Sequence, residues 1–286
     1  MYHDCSQEDL RSYCRTCIES YEMWARRLIH EKMVEEYGIN YLDASDERGD
    51  KLIKKDVRER IRQKIDAELS SYPRTVDALN AGDITYFLCN SKWYHSLFKA
   101  ALDFAFPQGQ EEAREFLDRI TPIRNSLSHA RSISIRQAEQ VICYTHDFIE
   151  GIKQYYKDRG EDRMWNVPQI IRATDSRGRE IYPPSDSTSR FNVSIHPEYY
   201  VGDRYSIQIE IDSSYPPDSY SIHWLKSWVE DNEHYNQPRF SITFSNEEIG
   251  QVYIVTCKIV SKNEWHRYRD CDDEMNLMFT VLPPKT

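Results

Sequence analysis

Apolar and polar side chains alternate without a break in Tyr205-Ser206-Ile207-Gln208-Ile209-Glu210-Ile211. Successive side chains of an extended strand point to opposite faces, so this pattern predicts a strand with one buried and one exposed face. Related runs occur in residues 191–195, 221–225, 240–244, 251–260 and 275–282. Short alternating strands separated by turn residues predict an antiparallel β-sandwich over residues 190–286.

One tryptophan and one cysteine refine the prediction for this β-domain. Trp224 falls where the third strand of an immunoglobulin-like (Ig-like) domain carries its core tryptophan, and Cys257 has no second cysteine in the strand around Ile209. The bridging disulfide of an antibody domain is therefore missing. The sequence predicts an Ig-like sandwich without a disulfide, a domain type that binds partners more often than it catalyses reactions.

The first half of the chain has a different period. Apolar residues recur three or four positions apart, as on one face of an amphipathic helix. The first such series contains Leu10, Tyr13, Cys14, Cys17, Ile18, Tyr21, Trp24 and Leu28. Further helices are predicted at 52–69, 94–104, 111–120 and 134–156, the last with the capping-box spacing of Ser134 and Gln137. Residues 1–157 are predicted to form an all-α bundle.

The two predicted domains are joined by a stretch of different composition. Residues 158–189 contain Pro168, Pro183 and Pro184 and show little periodicity. This composition predicts a linker, with a short ordered element near Trp165 to Ile171. The fold class is therefore α+β multidomain, with a helical bundle followed by a sandwich.

Composition narrows the class of protein. The chain has 286 residues and a formal net charge of -10, and aromatic residues make up 13%, too many for a disordered chain. An acidic surface counts against non-specific coating of nucleic acid. No apolar run reaches the ~20 residues that span a bilayer, and the N-terminus lacks the pattern of a signal peptide. We therefore expect a cytoplasmic protein with no membrane contact.

Several kinds of chemistry have no motif in this sequence. G-x-x-x-x-G-K-S/T, G-x-G-x-x-G after a strand, and G-x-S-x-G are all missing, and the chain has 9 Gly. Cys14 and Cys17 form a C-x-x-C pair, but they lie in a helical stripe and lack a second pair of ligands. They are predicted to be core residues. We expect no metal and no cofactor.

Two basic stretches are predicted to be solvated surface. Arg26, Arg27 and His30 are placed on the solvent face of the first helix, although they could line a binding groove instead. Residues 172–179 are rich in arginine and are predicted to form an exposed loop rather than a nucleic-acid contact.

The segment from Thr121 to Arg131 contains the most distinctive cluster of polar residues. Thr121 can cap a helix and Pro122 suits its first turn, which predicts a new helix with residues 124–129 in its opening turns. Asn125 and His129 are four residues apart and share a face. A guanidinium beside an amide and an imidazole, near a helix N-terminus, suits a phosphate or a phosphorane-like transition state.

A structural interpretation of the same residues stays open. Arg124 could form a salt bridge with Asp118 or Glu115 on the preceding helix, and His129 could bond a carbonyl at a helix end. The spacing R-N-x-x-x-H alone does not separate this interpretation from a functional one.

The run Arg124-Asn125-Ser126-Leu127-Ser128-His129 resembles the R-N-x-x-x-H form of the R-x4–6-H signature of the HEPN superfamily. A predicted helical pair precedes it and a long helix entered through Ser134 follows it, an order similar to that of the superfamily. The resemblance covers residues 8–157 in architecture and residues 122–139 in specific motif.

This resemblance implies a metal-independent endoribonuclease that acts as a homodimer, with one composite site across the interface. A ribose 2′-hydroxyl would attack the adjacent phosphate to give a 2′,3′-cyclic phosphate, so the substrate is RNA. His129 would transfer protons, Arg124 would stabilise charge on the phosphate, and Asn125 would orient His129 or the substrate. Arg131 could add an RNA contact outside the signature.

The resemblance also allows a second function. Many HEPN domains bind RNA or partners without cutting, so the helical half could be a non-catalytic dimerisation or adaptor module. With catalysis, the chain would suit an effector of prokaryotic antiviral defence or a toxin-like system. In both cases the β-sandwich would be a sensing or docking domain for a protein partner.

Overall fold

The computed structural model describes residues 6–67, 74–129, 131–161, 166–183 and 191–285, apart from the side chain of residue 197. The chain divides into two compact units, the first ending at Arg159 and the second beginning at Gly160. The first unit is helical and the second is built from sheets that are mostly antiparallel. The prediction of an α+β chain is confirmed.

The helical unit has six α-helices among the described residues. They are α1 (Gln7–Tyr37), α2 (Lys55–Ala67), α3 (Ala81–Leu88), α4 (Lys99–Leu102), α5 (Gln110–Ser128) and α6 (Ile135–Asp158). A π-helical turn, Tyr94–Phe98, leads into α4, and a 3-10 turn, Thr75–Ala78, lies between α2 and α3. None of the helices in the described ranges is long and apolar enough to cross a membrane.

Helices α1 and α6 form the centre of this unit. The apolar stripe of α1 is buried as predicted, including Cys14 and Cys17, except for Tyr13, which is exposed. Tyr21 packs edge-on against Phe148 with ring centroids 4.9 Å apart. The predicted capping box of α6 is confirmed, because Ser134 accepts from the Gln137 backbone and the Gln137 side chain accepts from the Ser134 backbone. These contacts fix the entry of α6 just after the HEPN-like motif.

The second unit contains nine strands in the described residues. They are β1 (Ile170–Asp175), β2 (Glu180–Ile181), β3 (Phe191–Tyr200), β4 (Arg204–Ile211), β5 (Tyr220–Lys226), β6 (Val229–Glu230), β7 (Arg239–Thr243), β8 (Gly250–Ser261) and β9 (Asp273–Leu282). One sheet has the order β2-β1-β4-β7 and the other the order β3-β9-β8-β5-β6. Apolar residues from both sheets form a single core, as in a sandwich.

Contacts between the sheets follow from the alternation along the strands. Tyr205 of β4 packs against Phe279 of β9, with ring centroids 4.9 Å apart. Trp224 of β5 is fully buried and stacks on Phe240 of β7 at 4.9 Å. Cys257 is a buried thiol in β8 and forms no disulfide. The core position of Trp224 and the lack of a bridge agree with the sequence analysis.

The prediction of a wholly antiparallel sandwich is wrong at one edge. Strand β3 pairs with β9 in parallel, from Phe191 opposite Met275 to Tyr200 opposite Leu282. Side chains alternate with the same period in parallel and antiparallel strands. Periodicity therefore predicts that residues 191–195 form a strand but not the direction of their partner.

The predicted linker, residues 158–189, contains two strands of the sandwich. Strand β1 pairs with β4, and β2 pairs with β1. Arg172 interrupts the apolar pattern of β1, yet it is buried, because its guanidinium binds the carboxylates of Glu180 and Glu210. The prediction that 172–179 is a solvated loop is therefore wrong for Arg172. Residues 162–165 and 184–189 of this segment lie outside the described residues.

Candidate nucleic-acid site

The HEPN-like motif lies at the end of α5 and not at the start of a new helix. Helix α5 continues through Thr121 and Pro122, and His129 is its C-cap residue. The Thr121 hydroxyl donates to the Leu117 carbonyl at 3.4 Å rather than capping a helix, and Pro122 lies on the exposed side. The predicted break at Thr121 is therefore wrong.

Burial explains why α5 tolerates an internal proline. Its inward face is an uninterrupted apolar stripe that is almost fully buried, formed by Ala113, Leu117, Ile120, Ile123 and Leu127. Ending the helix at residue 121 would turn the last two of these side chains away from the core. The apolar area that they bury outweighs the one backbone hydrogen bond that proline removes.

The position of the motif changes its electrostatics. A helix C-terminus presents carbonyl oxygens and a partial negative charge, so it repels phosphate, whereas a helix N-terminus attracts it. The His129 backbone N–H closes the last turn on the Asn125 carbonyl at 3.2 Å, and the Arg131 N–H donates to the Ser126 carbonyl at 2.9 Å. Any attraction for an anion must therefore come from side chains.

The side chains of the motif differ in their exposure to solvent. Asn125, His129 and Arg131 are exposed, and the side chain of Arg124 is 32% exposed. Asn125 and His129 are separated by four residues at the helix end, so both project on one side of α5. An exposed imidazole and amide are open to a ligand or to a second copy of the chain.

Arg124 is held by an acid that the sequence analysis did not select. Its Nε lies 3.0 Å from Glu22 Oε1, on α1, and among the described residues it forms no salt bridge with the predicted partners Asp118 or Glu115. Glu115 instead binds Arg119. The Glu22 side chain is 8% exposed and also accepts from Arg26 Nη2 at 2.7 Å. One buried carboxylate therefore links α1 to the motif.

Arg26 and Arg27 do not form a solvent-exposed face of α1. Arg27 is buried and its guanidinium lies 4.6 Å from the centre of the Trp24 ring. Arg26 is partly buried and also donates to the Leu79 carbonyl at 2.8 Å. The prediction that Arg26 and Arg27 are simply solvated is wrong, and Arg26 belongs to the surroundings of Arg124 through Glu22.

We expect Glu22→Gln to lower the free energy of unfolding by about 1–3 kcal/mol, because a neutral amide leaves two partly buried guanidiniums without their carboxylate. Urea unfolding followed by far-UV circular dichroism measures the change. Glu35→Gln is the control on the same helix: Glu35 also pairs with a cation, Lys32, but its side chain is 62% exposed. Its loss should stay below about 0.5 kcal/mol; equal losses in both variants would contradict a special role for Glu22.

A group with metal-ligand geometry lies in the other unit. Within the described ranges, potential ligand atoms of Asp231, Glu233 and His234 lie within 4.8 Å of one another. Asp231 already accepts from His234 Nδ1 at 2.8 Å and from Lys226 Nζ at 3.1 Å. A metal ion would have to displace the lysine, so this group is a hydrogen-bonded ion cluster. Cys14 and Cys17 are not part of it.

No protein-family model matches this chain, and no curated protein matches it. The placement and chemistry of Arg124, Asn125 and His129 are therefore the basis on which a function can be assigned.

Proposed function

We propose that this chain is a metal-independent endoribonuclease of the HEPN type, whose Ig-like sandwich senses or docks a protein partner. The observation that carries this proposal is the arrangement at the end of α5. Arg124 is fixed to α1 by Glu22, while Asn125 and His129, further along the same helix end, stay exposed. A fixed cation and an accessible imidazole are the two kinds of group that phosphoryl transfer to an internal nucleophile needs.

The reaction uses the ribose 2′-hydroxyl as its nucleophile. His129 accepts the 2′-hydroxyl proton as the O2′–P bond forms, and the P–O5′ bond breaks with a proton delivered to the leaving O5′. The products are a 2′,3′-cyclic phosphate and a 5′-hydroxyl. The guanidinium of Arg124 stabilises the charge that develops on the phosphorane, and Asn125 orients the imidazole or the substrate.

Helix polarity favours a composite site in a homodimer. The carbonyl end of α5 opposes binding of a phosphate, and one Arg124 is already partly neutralised by Glu22. A second copy facing the first would add another Arg124 and another His129, so that one imidazole can accept a proton while the other donates one. Exposure of Asn125, His129 and Arg131 leaves this surface open for such pairing.

The ion pair of Arg124 also favours a second candidate function. A guanidinium that already binds a carboxylate contributes less to a transition state than an unpaired one. The helical unit could then be a non-catalytic dimerisation or adaptor module that binds RNA or a protein. This alternative predicts intact RNA after incubation with a dimeric protein.

Cleavage of single-stranded RNA in EDTA tests the proposal. The full chain is incubated with a 5′-labelled RNA, and the ends of the products are analysed by mass. We expect 2′,3′-cyclic phosphate and 5′-hydroxyl ends, and no cleavage of the same sequence as DNA, since DNA lacks the nucleophile. Intact RNA, or products with a 3′-hydroxyl, would contradict the mechanism.

A further inference from the structure

Arg124 belongs to a group of cations on several helices of the helical unit. We call it the Lys64 cluster and define it by the cations Arg26, Arg60, Lys64 and Arg124 together with the carboxylates of Glu22 and Asp83. Its members come from α1, α2, α3 and α5. The charge is therefore spread over neighbouring helices and is not confined to one turn.

The cations of the cluster outnumber its carboxylates. Arg26 and Arg124 share Glu22, and Arg60 binds Asp83, whose side chain is 2% exposed. Asp83 also accepts from the Asn80 backbone in the capping box of α3, which fixes its position. Both carboxylates are thus already bound by guanidiniums, and that of Asp83 also belongs to a helix cap.

Lys64 is the member without a carboxylate partner among the described residues. Its ammonium donates to the Ala78 carbonyl at 3.0 Å, which occupies one of three N–H donors. Partial burial lowers the pKa of Lys64, and although Asp83 acts in the opposite direction, the nearby Arg26, Arg124 and Arg60 lower the pKa further. Four cations against two carboxylates leave an excess of positive charge, which would stabilise an added anion.

We propose that the Lys64 cluster binds a phosphodiester of a single-stranded nucleic acid, next to the phosphate that Arg124 and His129 would engage. The inference rests on the proposed function for the identity of the strand as RNA, because Arg124 belongs to both sites. Cations spread over several helices suit the repeated charges of a strand better than one small anion. A local excess of positive charge also explains how a chain of net charge -10 can hold RNA.

Binding of labelled 12-mer RNA and DNA to the full chain, measured by fluorescence anisotropy in EDTA at several salt concentrations, tests the proposal. The RNA carries 2′-O-methyl groups so that it stays intact. We expect Lys64→Ala to weaken binding of both oligonucleotides about tenfold at low salt and to reduce the salt slope by about one. Lys64→Arg should restore most of the affinity.

Lys51→Ala is the matched control, because Lys51 also donates its ammonium to a backbone carbonyl, that of Asp43, but lies outside the cluster. It should bind as the parent does. Equal weakening by Lys51→Ala and Lys64→Ala, or no effect of Lys64→Ala, would overturn the proposal, as would a parent protein that binds neither oligonucleotide.

A measurement on the unmodified protein covers the case in which Lys64→Ala does not fold. Acetylation of lysines, read by mass spectrometry, should slow at least fivefold at Lys64 when the oligonucleotide is bound and should not change at Lys51. Unchanged acetylation of Lys64 would overturn the proposal. If the protein binds natural RNA without cleaving it, the nuclease proposal is wrong and the phosphate site at Lys64 is retained. If Lys64→Ala cleaves RNA as the parent does, the phosphate site at Lys64 is wrong and the nuclease proposal is retained.

Discussion

His129→Ala is expected to lower the rate of RNA cleavage by about 10²–10⁴-fold, the range that positioned proton transfer contributes to catalysis. The imidazole is the proposed proton-transfer group of the motif, and alanine leaves nothing in its place. Because His129 is exposed at a helix end, its loss should change the free energy of unfolding by less than about 0.5 kcal/mol. Single-turnover cleavage of a labelled RNA measures the effect.

His95→Ala is the control for this prediction. His95 is also exposed and lies in the same unit, in the π-helical turn before α4, outside the motif. We expect parental cleavage from this variant. If His129→Ala cleaves as fast as the parent, or if both variants lose activity equally, His129 does not transfer the proton.

Trp224→Ala is expected to destabilise the β unit by about 3–5 kcal/mol, the usual cost of replacing a buried tryptophan. The side chain is fully buried on β5, stacks on Phe240, and donates from Nε1 to the Gln237 carbonyl at 2.9 Å. Alanine would leave a cavity and also remove the donor for that carbonyl. Guanidinium unfolding followed by circular dichroism in the β-sheet region measures the loss.

Trp228→Ala provides the comparison within the same hairpin. Trp228 follows β5 and is 57% exposed, so its replacement removes little buried area. We expect a change within about 0.5 kcal/mol. Similar losses at both positions would show that the hairpin, and not the core between the sheets, limits stability.

Much of the fold could be predicted because periodicity reports burial. The alternating run 205–211 falls within β4, and the helical stripe from Leu10 to Leu28 falls within α1. Periodicity did not predict burial at positions where a buried charged residue takes the place of an apolar one. Arg172 in β1 and Arg27 in α1 have polar side chains, and their burial depends on partners that are distant in sequence or packed around them.

The residues of the candidate site could be predicted from the sequence, but their structural surroundings could not. Arg124, Asn125 and His129 were found from their spacing, whereas Glu22 lies 102 residues from Arg124 and belongs to no motif. The predicted helix start at Thr121 was wrong, although Thr121 and Pro122 match the pattern of a helix start. Helix α5 continues because its buried apolar stripe extends on both sides of these two residues. Burial of this stripe therefore overrides the local preference of Thr121 and Pro122 for a helix start.

The parallel pairing of β3 with β9 has a consequence for how the chain folds during synthesis. Asn192 and Asn276 meet across this pair although they are 84 residues apart, so the sheet is completed only after its last strand has left the ribosome. Contacts this distant carry a large loop-closure entropy and slow folding. The nascent β unit therefore exposes an unpaired strand for most of its translation, when edge-to-edge aggregation is a hazard.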